Sequence, residues 1–313
     1  MSLTAGEGVL AATVASRHYI DRQSKVEIAE CLGISRFRVA RLLDLAVSEG
    51  IVRFVISTPL AQDLELSDMV RKRFDLRQAL VVDAPEDGND PSRLRRRVGA
   101  AAAGLLSELV TDEDVLGIGW GRTTSAMAQE LSRLAACPVV QLGGMAGGSV
   151  VENSLELVRR ITEIGGGRPY PLFVPLVVRD AATAAGLRTH PGVEAAMRLF
   201  EKITIAAVSV GSWDPPESQM RDSLDEPTRT TLREQGVVGE ILATLFRQDG
   251  SIVTLLDDRT TALGYERMKQ IPEFILVAAG RKKAGAVHAA LRAGLGTSLV
   301  TDRSLARELL RAP

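Results

Sequence analysis

The chain of 313 residues has few of the side chains that build disulfide frameworks or metal centres. It contains only Cys31 and Cys137 as cysteines and only three histidines, and all of them are far apart in the sequence. Neither set has the spacing of a disulfide framework or a metal site, and few cysteines are typical of a reducing compartment. We therefore expect no bound metal, and no motif predicts a cofactor.

Long hydrophobic runs are also missing, because none approaches the ~20 apolar residues that a membrane span requires. An apolar patch lies at Val9–Ala15, but Glu7 stands beside it and no basic segment precedes it, so the pattern does not predict a signal peptide. We expect a cytoplasmic protein without a membrane partner.

An excess of charge of either sign is missing as well, since the formal net charge is −1. A general DNA-binding protein that uses its whole surface is therefore excluded, and any DNA contact must come from a local basic cluster. The length suggests two domains, and 45% hydrophobic residues are enough for a globular core.

The first sixty residues have the pattern of three short helices. A helix is predicted from Val9 to Asp21, and a second begins at Ser24, where Ser24 and Glu27 have the spacing of a capping box. Gly33 allows a tight turn, and Ser35 is placed to cap the third helix.

The third helix is predicted to have an apolar face and a basic face. Val39, Leu42, Leu43 and Ala46 recur at helical spacing and predict the core face. The opposite face is rich in arginine, which can bind guanine or phosphate, and its exposed phenylalanine can contact a thymine methyl group. The predicted DNA-binding residues are Ser35, Arg36, Phe37, Arg38 and Arg41.

A solvated basic face on a small helical domain is the alternative interpretation. The capping box, the glycine turn, the capped third helix and a predicted strand at Ile51–Ser57 together favour a winged helix-turn-helix over residues 1–57. Its expected partner is operator DNA with palindromic or repeated half-sites. A linker helix is predicted within residues 58–77, either as a spacer packed on the larger domain or as a dimerisation helix.

Residues 78–313 alternate between short β-branched runs and helical patterns, which predicts an α/β domain with a largely parallel sheet. Ligands of such sheets bind at the carboxyl ends of the strands. The predicted strands are Ala79–Asp83, Val115–Gly119, Val139–Leu142, Ile203–Val210, Ile252–Leu256, Phe274–Ala279 and Ser298–Thr301. The helices predicted between them include Thr123–Ala135 and Thr261–Gln270.

The loop at Gly119–Ser125 is the first candidate for a ligand site. Glycines lead from a strand into a helix that begins with Arg122, Thr123 and Thr124, and such a helix start favours an anion. The spacing fits neither a Walker loop nor a dinucleotide fingerprint. A simple strand-to-helix connection is the alternative.

Two further strand-end loops contribute candidates. Lys283 follows the strand at Phe274–Ala279 and could reach an anion, although paired lysines at a helix start are more often surface charge. Gln141 and Gly143 lie at the end of the strand predicted at Val139–Leu142, in a loop that allows close approach of the backbone.

Taken together, these residues resemble the SorC family of sugar-binding transcriptional regulators, which is related to DeoR-type regulators. The resemblance covers nearly the whole chain. Its motifs are Gln23–Leu43, Gly50–Arg53, Gly119–Thr123, Gly236–Ile241, Ala279-Gly280 with Lys283-Ala284, and Thr301-Asp302 with Leu309-Leu310.

The resemblance implies a Rossmann-like effector domain of the sugar-phosphate isomerase type, a homodimer or homotetramer, and a sugar or phosphosugar effector that controls a carbohydrate-metabolism operon. It also implies that Gly121, Arg122, Thr123 and Thr124 form a phosphate loop and that Lys283 lies at the ligand. Arg36 and Arg41 match DNA-reading positions.

Two departures from the family pattern matter. Phe37 and Arg38 replace smaller residues, so the operator sequence cannot be transferred. Arg247 stands where the family commonly has an aspartate that holds sugar hydroxyls. If Arg247 faces the pocket, the ligand would carry a second anionic group, whereas an outward Arg247 would only be solvated.

An enzyme, such as a sugar-phosphate isomerase or deaminase with a helical appendage, is the alternative function. Such chemistry needs a positioned carboxylate or histidine base. Asp222, Glu240, Asp257 and Asp258 are available, but the strand-end loops show no convincing base and no histidine. A regulator that is not an enzyme is therefore expected.

Overall fold

The computed structural model of the chain describes residues 5–52, 62–83, 90–146 and 154–312. These residues fall into two compact units, which divide between Thr58 and Pro59. Each unit has its own hydrophobic core.

The first unit consists of three helices around a small core. Helix α1 spans Ala5–Ala15 and runs into a π-helical turn at Ser16–Ile20, α2 spans Lys25–Leu32 and α3 spans Arg36–Ser48. Each helix contributes buried aliphatic side chains to one cluster, in which Val14, Ile28 and Val39 are fully buried. Periodicity of the apolar residues thus sets the packing of this unit.

The predicted caps are confirmed in α2 and α3. The Ser24 hydroxyl accepts from the Glu27 amide, and the Glu27 carboxylate accepts from the Ser24 amide. Gly33 has a φ of 62°, a left-handed conformation that ends α2, and Ser35 accepts from the Arg38 amide. The strand predicted at Ile51–Ser57 lies, from Arg53 onward, outside the described residues.

The second unit contains the remaining helices. They are α4 Leu64–Arg73, α5 Pro91–Leu109, α6 Arg122–Glu130, α7 Ser154–Gly165, α8 Ala181–Arg188, α9 Pro191–Leu199, α10 Gln219–Ser223, α11 Glu226–Glu234, α12 Tyr265–Gln270, α13 Ala284–Arg292 and α14 Arg303–Arg311. A 3₁₀ turn at Arg281–Lys283 leads into α13.

A parallel sheet forms the centre of this unit, as the alternating pattern predicts. Its seven strands lie in the order β1-β12-β11-β5-β2-β3-β4. They are β1 Gln78–Val82, β2 Leu116–Ile118, β3 Val139–Gln141, β4 Pro169–Tyr170, β5 Ile205–Val208, β11 Glu273–Val277 and β12 Ser298–Asp302. Most residues of these strands are apolar, as expected for a parallel sheet with a hydrophobic cluster on each face.

A second, antiparallel sheet was not predicted. Its five strands lie in the order β10-β9-β8-β6-β7 and are β6 Gly211–Trp213, β7 Pro216–Glu217, β8 Val237–Ile241, β9 Thr244–Arg247 and β10 Ile252–Val253. The strand predicted at Ile203–Val210 therefore ends at Val208, and the one at Ile252–Leu256 keeps only two residues.

Local sequence signals are weak in this second sheet. The β8–β9 hairpin turns at Leu242 and Ala243, and Leu242 adopts a φ of 57°. Such turns usually carry Asn-Gly or Asp-Gly, so a Leu-Ala turn gives no hairpin signal. Leu242 is buried, so the turn is stabilised by the packing of this side chain and not by residues that favour turns.

Two predicted helices are shorter in the structure. The helix predicted at Thr123–Ala135 ends at Glu130, and the carbonyl of Arg133 accepts from the Ser107 hydroxyl. The helix predicted at Thr261–Gln270 begins at Tyr265, because the Thr261 amide bonds to Leu176 and its hydroxyl to Pro175. Tertiary hydrogen bonds outweigh helix propensity at both ends.

Helix α4, the predicted linker helix, packs on β1 and α14 of the second unit. Asp63 caps α4 and also bonds to Arg303, the first residue of α14, at 3.1 Å. The buried Ser67 hydroxyl donates to the carbonyl of Asp63 and accepts from the amide of Val81. These hydrogen bonds hold α4 against β1 and α14.

No helix in the described part of the chain is long and apolar enough to span a bilayer.

The close contact between α5 and α6 gives a test of the packing. A Cβ on Gly99 would lie 2.7 Å from the backbone of Ala126 and Met127. We expect Gly99→Ala to lower the free energy of unfolding by about 1–3 kcal/mol, because the helices must move apart. The measurement is urea unfolding followed by circular dichroism.

Gly186→Ala is the matched control, since a Cβ on this α8 residue meets no atom within 4 Å. It is expected to raise the free energy of unfolding by about 0.5–1 kcal/mol through helix propensity. Equal effects of the two substitutions would contradict the described α5–α6 contact.

Candidate functional site

Three neighbouring parallel strands end at the same edge of the central sheet. Strand β5 pairs with β2 on one side and with β11 on the other. The loops that follow these strands lead into α6, into β6 and into the turn at Arg281–Lys283. This edge is where α/β proteins bind ligands.

A small cavity lies at this edge and is covered by the antiparallel sheet. Its volume is about 30 Å³, which is room for about one water molecule. The lining residues are Trp120, Gly121, Arg122, Ser209, Val210, Gly211, Glu217, Ser218, Gln219, Glu240, Leu242 and Lys283. We call this cavity the strand-end pocket.

Helix α6 begins at the strand-end pocket with Gly121 as its N-cap. Glycine offers no side chain to cap the amides of the first turn, which leaves the positive end of the helix dipole for an anion. A Cβ at position 121 would lie 2.4 Å from the Cβ of Ser209. The close approach of the two loops therefore requires glycine at this position.

Lys283 supplies a buried cation to the pocket. Its side chain is 7% exposed, and its Nζ donates to the carbonyl of Val210 at 2.6 Å. Burial first, and the nearby charge of Arg122 second, lower the pKa of Lys283 to about 8, although Glu217 and Glu240 oppose the shift. A bound anion would favour the charged ammonium group and raise this pKa.

Glu240, on β8, supplies a buried carboxyl group. It accepts hydrogen bonds from the Ser218 hydroxyl at 2.6 Å and from the Trp213 indole N–H. Burial raises the pKa of Glu240 to about 7, although both hydrogen bonds and the charge of Lys283 lower it. Near neutral pH this carboxyl group can therefore accept or donate a hydrogen bond.

An ion pair between Arg122 and Glu217 lies on the more exposed side of the pocket. The Nη2 and Oε2 atoms are 3.9 Å apart, and the side chains are 34% and 27% exposed. The Nε1 of Trp120 is buried in the pocket wall without a hydrogen-bond partner among the described residues. The wall thus combines cations with an unsatisfied donor, an arrangement suited to a ligand rich in oxygen.

Of the predicted effector residues, Gly121, Arg122 and Lys283 line the strand-end pocket. Gly119, Thr123 and Thr124 lie beneath it. Gly119 packs on Val208 and Leu242, and Thr123 and Thr124 are buried, the latter with its hydroxyl bonded to the carbonyl of Gly121. These residues support the loop and do not line the cavity.

Gln141 and Gly143 are not among the lining residues. The Gln141 amide donates to the carbonyl of Gly143 at 2.6 Å and accepts from the amide of Leu172 at 3.2 Å, so it ties two loops together.

Arg247 is also outside the strand-end pocket. Its guanidinium donates to the carbonyl of Gln235 at 2.7 Å and to the Ser251 hydroxyl at 3.2 Å. It therefore braces the ends of the antiparallel strands.

Ser209, Glu217 and Ser218 line the pocket but were not predicted from the sequence, and neither was the inward direction of Glu240. Asp222, Asp257 and Asp258, the other carboxylates considered there, do not line the pocket. Glu240 lies within the motif Gly236–Ile241, which is part of the family resemblance. The motif did not predict that the Glu240 side chain faces the pocket. No group of residues able to hold a metal ion occurs in the ranges that the structure describes.

In the first unit, the predicted DNA-binding residues lie on one exposed surface of α3. Arg36, Arg38 and Arg41 are exposed, and Phe37 is 84% exposed. Ser35 has its side chain engaged in the cap. Phe37 therefore stands exposed among arginines, on the surface of α3 that the sequence predicts to contact DNA.

The fold and the pocket define the second unit as an α/β ligand-binding domain with a polar site at the strand ends, where Arg122 and Lys283 lie with Glu217 and Glu240. The model of the family described as "Putative sugar-binding domain" matches residues 58–311. The chain belongs to this sugar-binding domain family, and the SorC resemblance is confirmed.

Curated relatives match nearly the full length of the chain. The transcriptional regulator YjhU of Escherichia coli is 27% identical over 94% of this chain and 92% of its own length. The deoxyribonucleoside regulator of Bacillus subtilis is 28% identical over 96% and 97%. These relatives are named as regulators and not as enzymes.

A solved structure shows the same fold. The full-length sorbitol operon regulator SorC of Klebsiella pneumoniae superposes with a TM-score of 0.73 at 20% identity, over 98% of this chain and 100% of that one.

The buried lysine gives a pH-dependent test. Folded Lys283 loses its proton near pH 8, whereas an unfolded lysine does so near 10.5, so the unfolded state binds more protons between these values. The penalty for burying the charge is therefore present below pH 8 and is relieved as pH rises. Relative to Lys283→Met, the wild type is expected to gain roughly 1–3 kcal/mol of unfolding free energy between pH 7.5 and 9.5.

Urea unfolding at both pH values provides the measurement. Lys282→Met removes the exposed neighbouring lysine and is expected to leave the pH dependence unchanged. A pH dependence that is identical for the wild type and Lys283→Met would show that Lys283 is not held in the pocket.

Proposed function

We propose that the protein is a DNA-binding transcriptional regulator of a carbohydrate-metabolism operon, controlled by a phosphorylated sugar in the strand-end pocket. The observation that carries the proposal is the buried Lys283 ammonium group at the uncapped start of α6. A buried cation beside a helix N-terminus favours an anion over neutral ligands. Family membership and the names of the relatives support the same function.

Roles for the pocket residues follow from their chemistry. The phosphate group binds beside Gly121 at the start of α6, with Lys283 and Arg122 as counter-charges. Glu240 binds a sugar hydroxyl group, because a carboxyl held by Ser218 and Trp213 keeps acceptor capacity. Gly119, Thr123 and Thr124 position this loop from below.

The pocket must open to admit such a ligand. A volume of about 30 Å³ is far below the ~300–1,000 Å³ of typical small-molecule sites. The ion pair between Arg122 and Glu217 is the contact on the exposed side that a phosphate can replace, since it offers Arg122 a better anion. Effector binding is thereby coupled to movement of the β6–β7 hairpin.

DNA binding is assigned to the first unit as a winged helix-turn-helix, with α3 in the major groove. The exposed Arg36, Phe37, Arg38 and Arg41 support this assignment, and so does the glycine turn that joins α2 to α3. Recognition of two half-sites requires a homodimer or homotetramer.

An isomerase or deaminase is less well supported, although Glu240 has the raised pKa of a general base. The residues that line the pocket include no histidine that could act with Glu240, and the relatives are named as regulators.

The effector is expected to emerge from a thermal-shift screen of phosphorylated and free sugars, since a ligand of the folded state raises the melting temperature. Arg122→Ala is expected to weaken the hit about tenfold or more, through loss of one charge-assisted contact. Arg247→Ala is the control and is expected to leave the affinity within about twofold, because Arg247 is outside the pocket. Unchanged affinity in Arg122→Ala, with a loss in Arg247→Ala, would place the effector elsewhere.

Binding of operator DNA gives the second test of the function. Duplexes selected by the wild type from a random library serve as probes in footprinting. Arg41→Ala is expected to cost about 1–3 kcal/mol of specific binding per contact, and Arg41→Lys, which keeps the charge but not the bidentate geometry, is expected to retain non-specific binding only.

Arg198→Ala removes an exposed arginine of the second unit and serves as the control for total charge. Circular dichroism is expected to be unchanged in all three variants. Specific footprints that survive in Arg41→Ala at physiological salt would show that α3 does not read the operator through this residue.

A further inference from the structure

The turn at Arg281–Lys283 is bonded on one side to the segment that leads into the antiparallel sheet. The Nζ of Lys283 donates to the carbonyl of Val210, and the hydroxyl of Ser212 donates to the carbonyl of Lys282 at 3.4 Å. Ser212 lies on β6, in the sheet that covers the strand-end pocket. A displacement of this sheet therefore acts directly on the turn.

On its other side, the turn is bonded to a buried carboxylate of the central sheet. Asp302, the last residue of β12, is 1% exposed and accepts from the amide of Gly280 at 2.6 Å. The carbonyl of Gly280 in turn accepts from the amide of Lys283 at 3.0 Å. Asp302 therefore holds the start of the turn that carries Lys283.

The same carboxylate also begins α14. Its second oxygen accepts from the amides of Ser304, at 2.9 Å, and Leu305, at 3.2 Å, and from the Ser304 hydroxyl. A buried carboxylate with both oxygens bonded cannot shift toward one partner without lengthening its bonds to the other. The turn and α14 thus share one anchor.

Arg303, the first residue of α14, extends these contacts to α4. Its Nε lies 3.1 Å from the Oδ2 of Asp63, and its Nη1 lies 2.9 Å from the Oδ1 of Asp83. The other carboxylate oxygen of Asp63 caps α4 at the amide of Leu66, at 3.0 Å. Asp63 is also close in sequence to the boundary between the two units. Hydrogen bonds and ion pairs therefore run without a break from the pocket to α4.

The ammonium group of Lys283 has two alternative partners. It bonds to the carbonyl of Val210, and an anion in the strand-end pocket would compete for the same protons. The Lys283 side chain is buried, so close packing hinders a change of partner by the side chain alone. Such a change is therefore expected to shift the turn and to alter its bond to Asp302.

We propose that the turn at Arg281–Lys283, Asp302 and Arg303 form a link that couples the occupant of the strand-end pocket to α4, the first helix of the second unit. This inference rests on the proposed function, because it takes the pocket to be the effector site. Asp302 and Arg303 do not line the pocket. They are positioning residues, which act through the turn and through Asp63.

Amide hydrogen exchange of the full-length protein, followed by mass spectrometry of peptides, measures the link at α4. The perturbation is Lys283→Met, which removes the ammonium group from the pocket. Helix α7 is the internal reference for global stability, because it packs on β3 whereas α4 packs on β1, near the opposite edge of the sheet. Lys283→Met is expected to change the exchange rate of α4 relative to α7 at least about twofold.

Asp302→Asn interrupts the link at a single bond. Asparagine has one acceptor oxygen, for which three donors at the start of α14 compete with the one amide of Gly280. Because asparagine is a good N-cap, the helix cap is expected to remain and the bond to the turn to be lost. In this background, Lys283→Met is expected to leave the ratio of α4 to α7 exchange unchanged.

Arg303→Leu interrupts the link at a partly exposed position and is expected to give the same result, so the test does not depend on the folding of Asp302→Asn. Arg311→Leu removes a more exposed arginine of the same helix and is the matched control. It is expected to preserve the response of α4 to Lys283→Met. An equal response of α4 in all backgrounds, or no response in the wild-type background, would overturn the link.

Inorganic phosphate tests the proposed function separately. Added to the wild type at constant ionic strength, it is expected to raise the melting temperature by binding in the pocket. A wild type that does not respond to phosphate would contradict the phosphate site, whereas the comparison of Lys283→Met between backgrounds decides the link without any ligand.

Discussion

Parallel pairing of β11, β5 and β2 is the constraint on which the rest of the second unit depends. Between two parallel strands the chain must cross back to the side of the sheet where the first strand began, so all these strands run in the same direction. Their carboxyl ends and the loops that follow therefore lie at one edge of the sheet. Trp120, Ser209 and Lys283 come from separate parts of the chain and meet at this edge for that reason. The antiparallel sheet then adds Glu240 from above and closes the site.

Because the antiparallel sheet closes the site, Lys283 and Glu240 are buried, and their contacts do not fully offset the loss of hydration of the two charges. Their pKa values move toward each other, to about 8 and about 7, because burial disfavours both charges. A ligand that brings its own negative charge repairs this imbalance at Lys283. Binding of such a ligand would therefore stabilise the folded protein. This gain in stability is a physical basis for a conformational response to a small molecule.

Sequence reasoning succeeded where local chemistry determines the structure. The caps at Ser24 and Ser35 act within a few residues, and the apolar strands of a parallel sheet are recognisable one by one. The antiparallel sheet was missed because its Leu242–Ala243 turn is held by tertiary packing rather than by turn residues.

The same distinction applies to the candidate site. Gly121, Arg122 and Lys283 could be identified as strand-end residues, whereas the inward direction of Glu240 depends on pairing between β8 and β6. Gln141 is the opposite case. Its polar side chain also lies at a strand end, but it is hydrogen-bonded to the backbone of two loops and does not line the pocket. Position along a strand alone does not distinguish the two roles.

The position of β12 between β1 and β11 has a consequence for biosynthesis. Strand β1 is the first strand of the sheet to leave the ribosome, yet its partner β12 is the last. The first unit, built from local helical contacts, can fold early, while the sheet waits for nearly the whole chain. Until β12 has been made, β1 lacks its partner strand and β11 has one open edge, and such edges can pair with other chains.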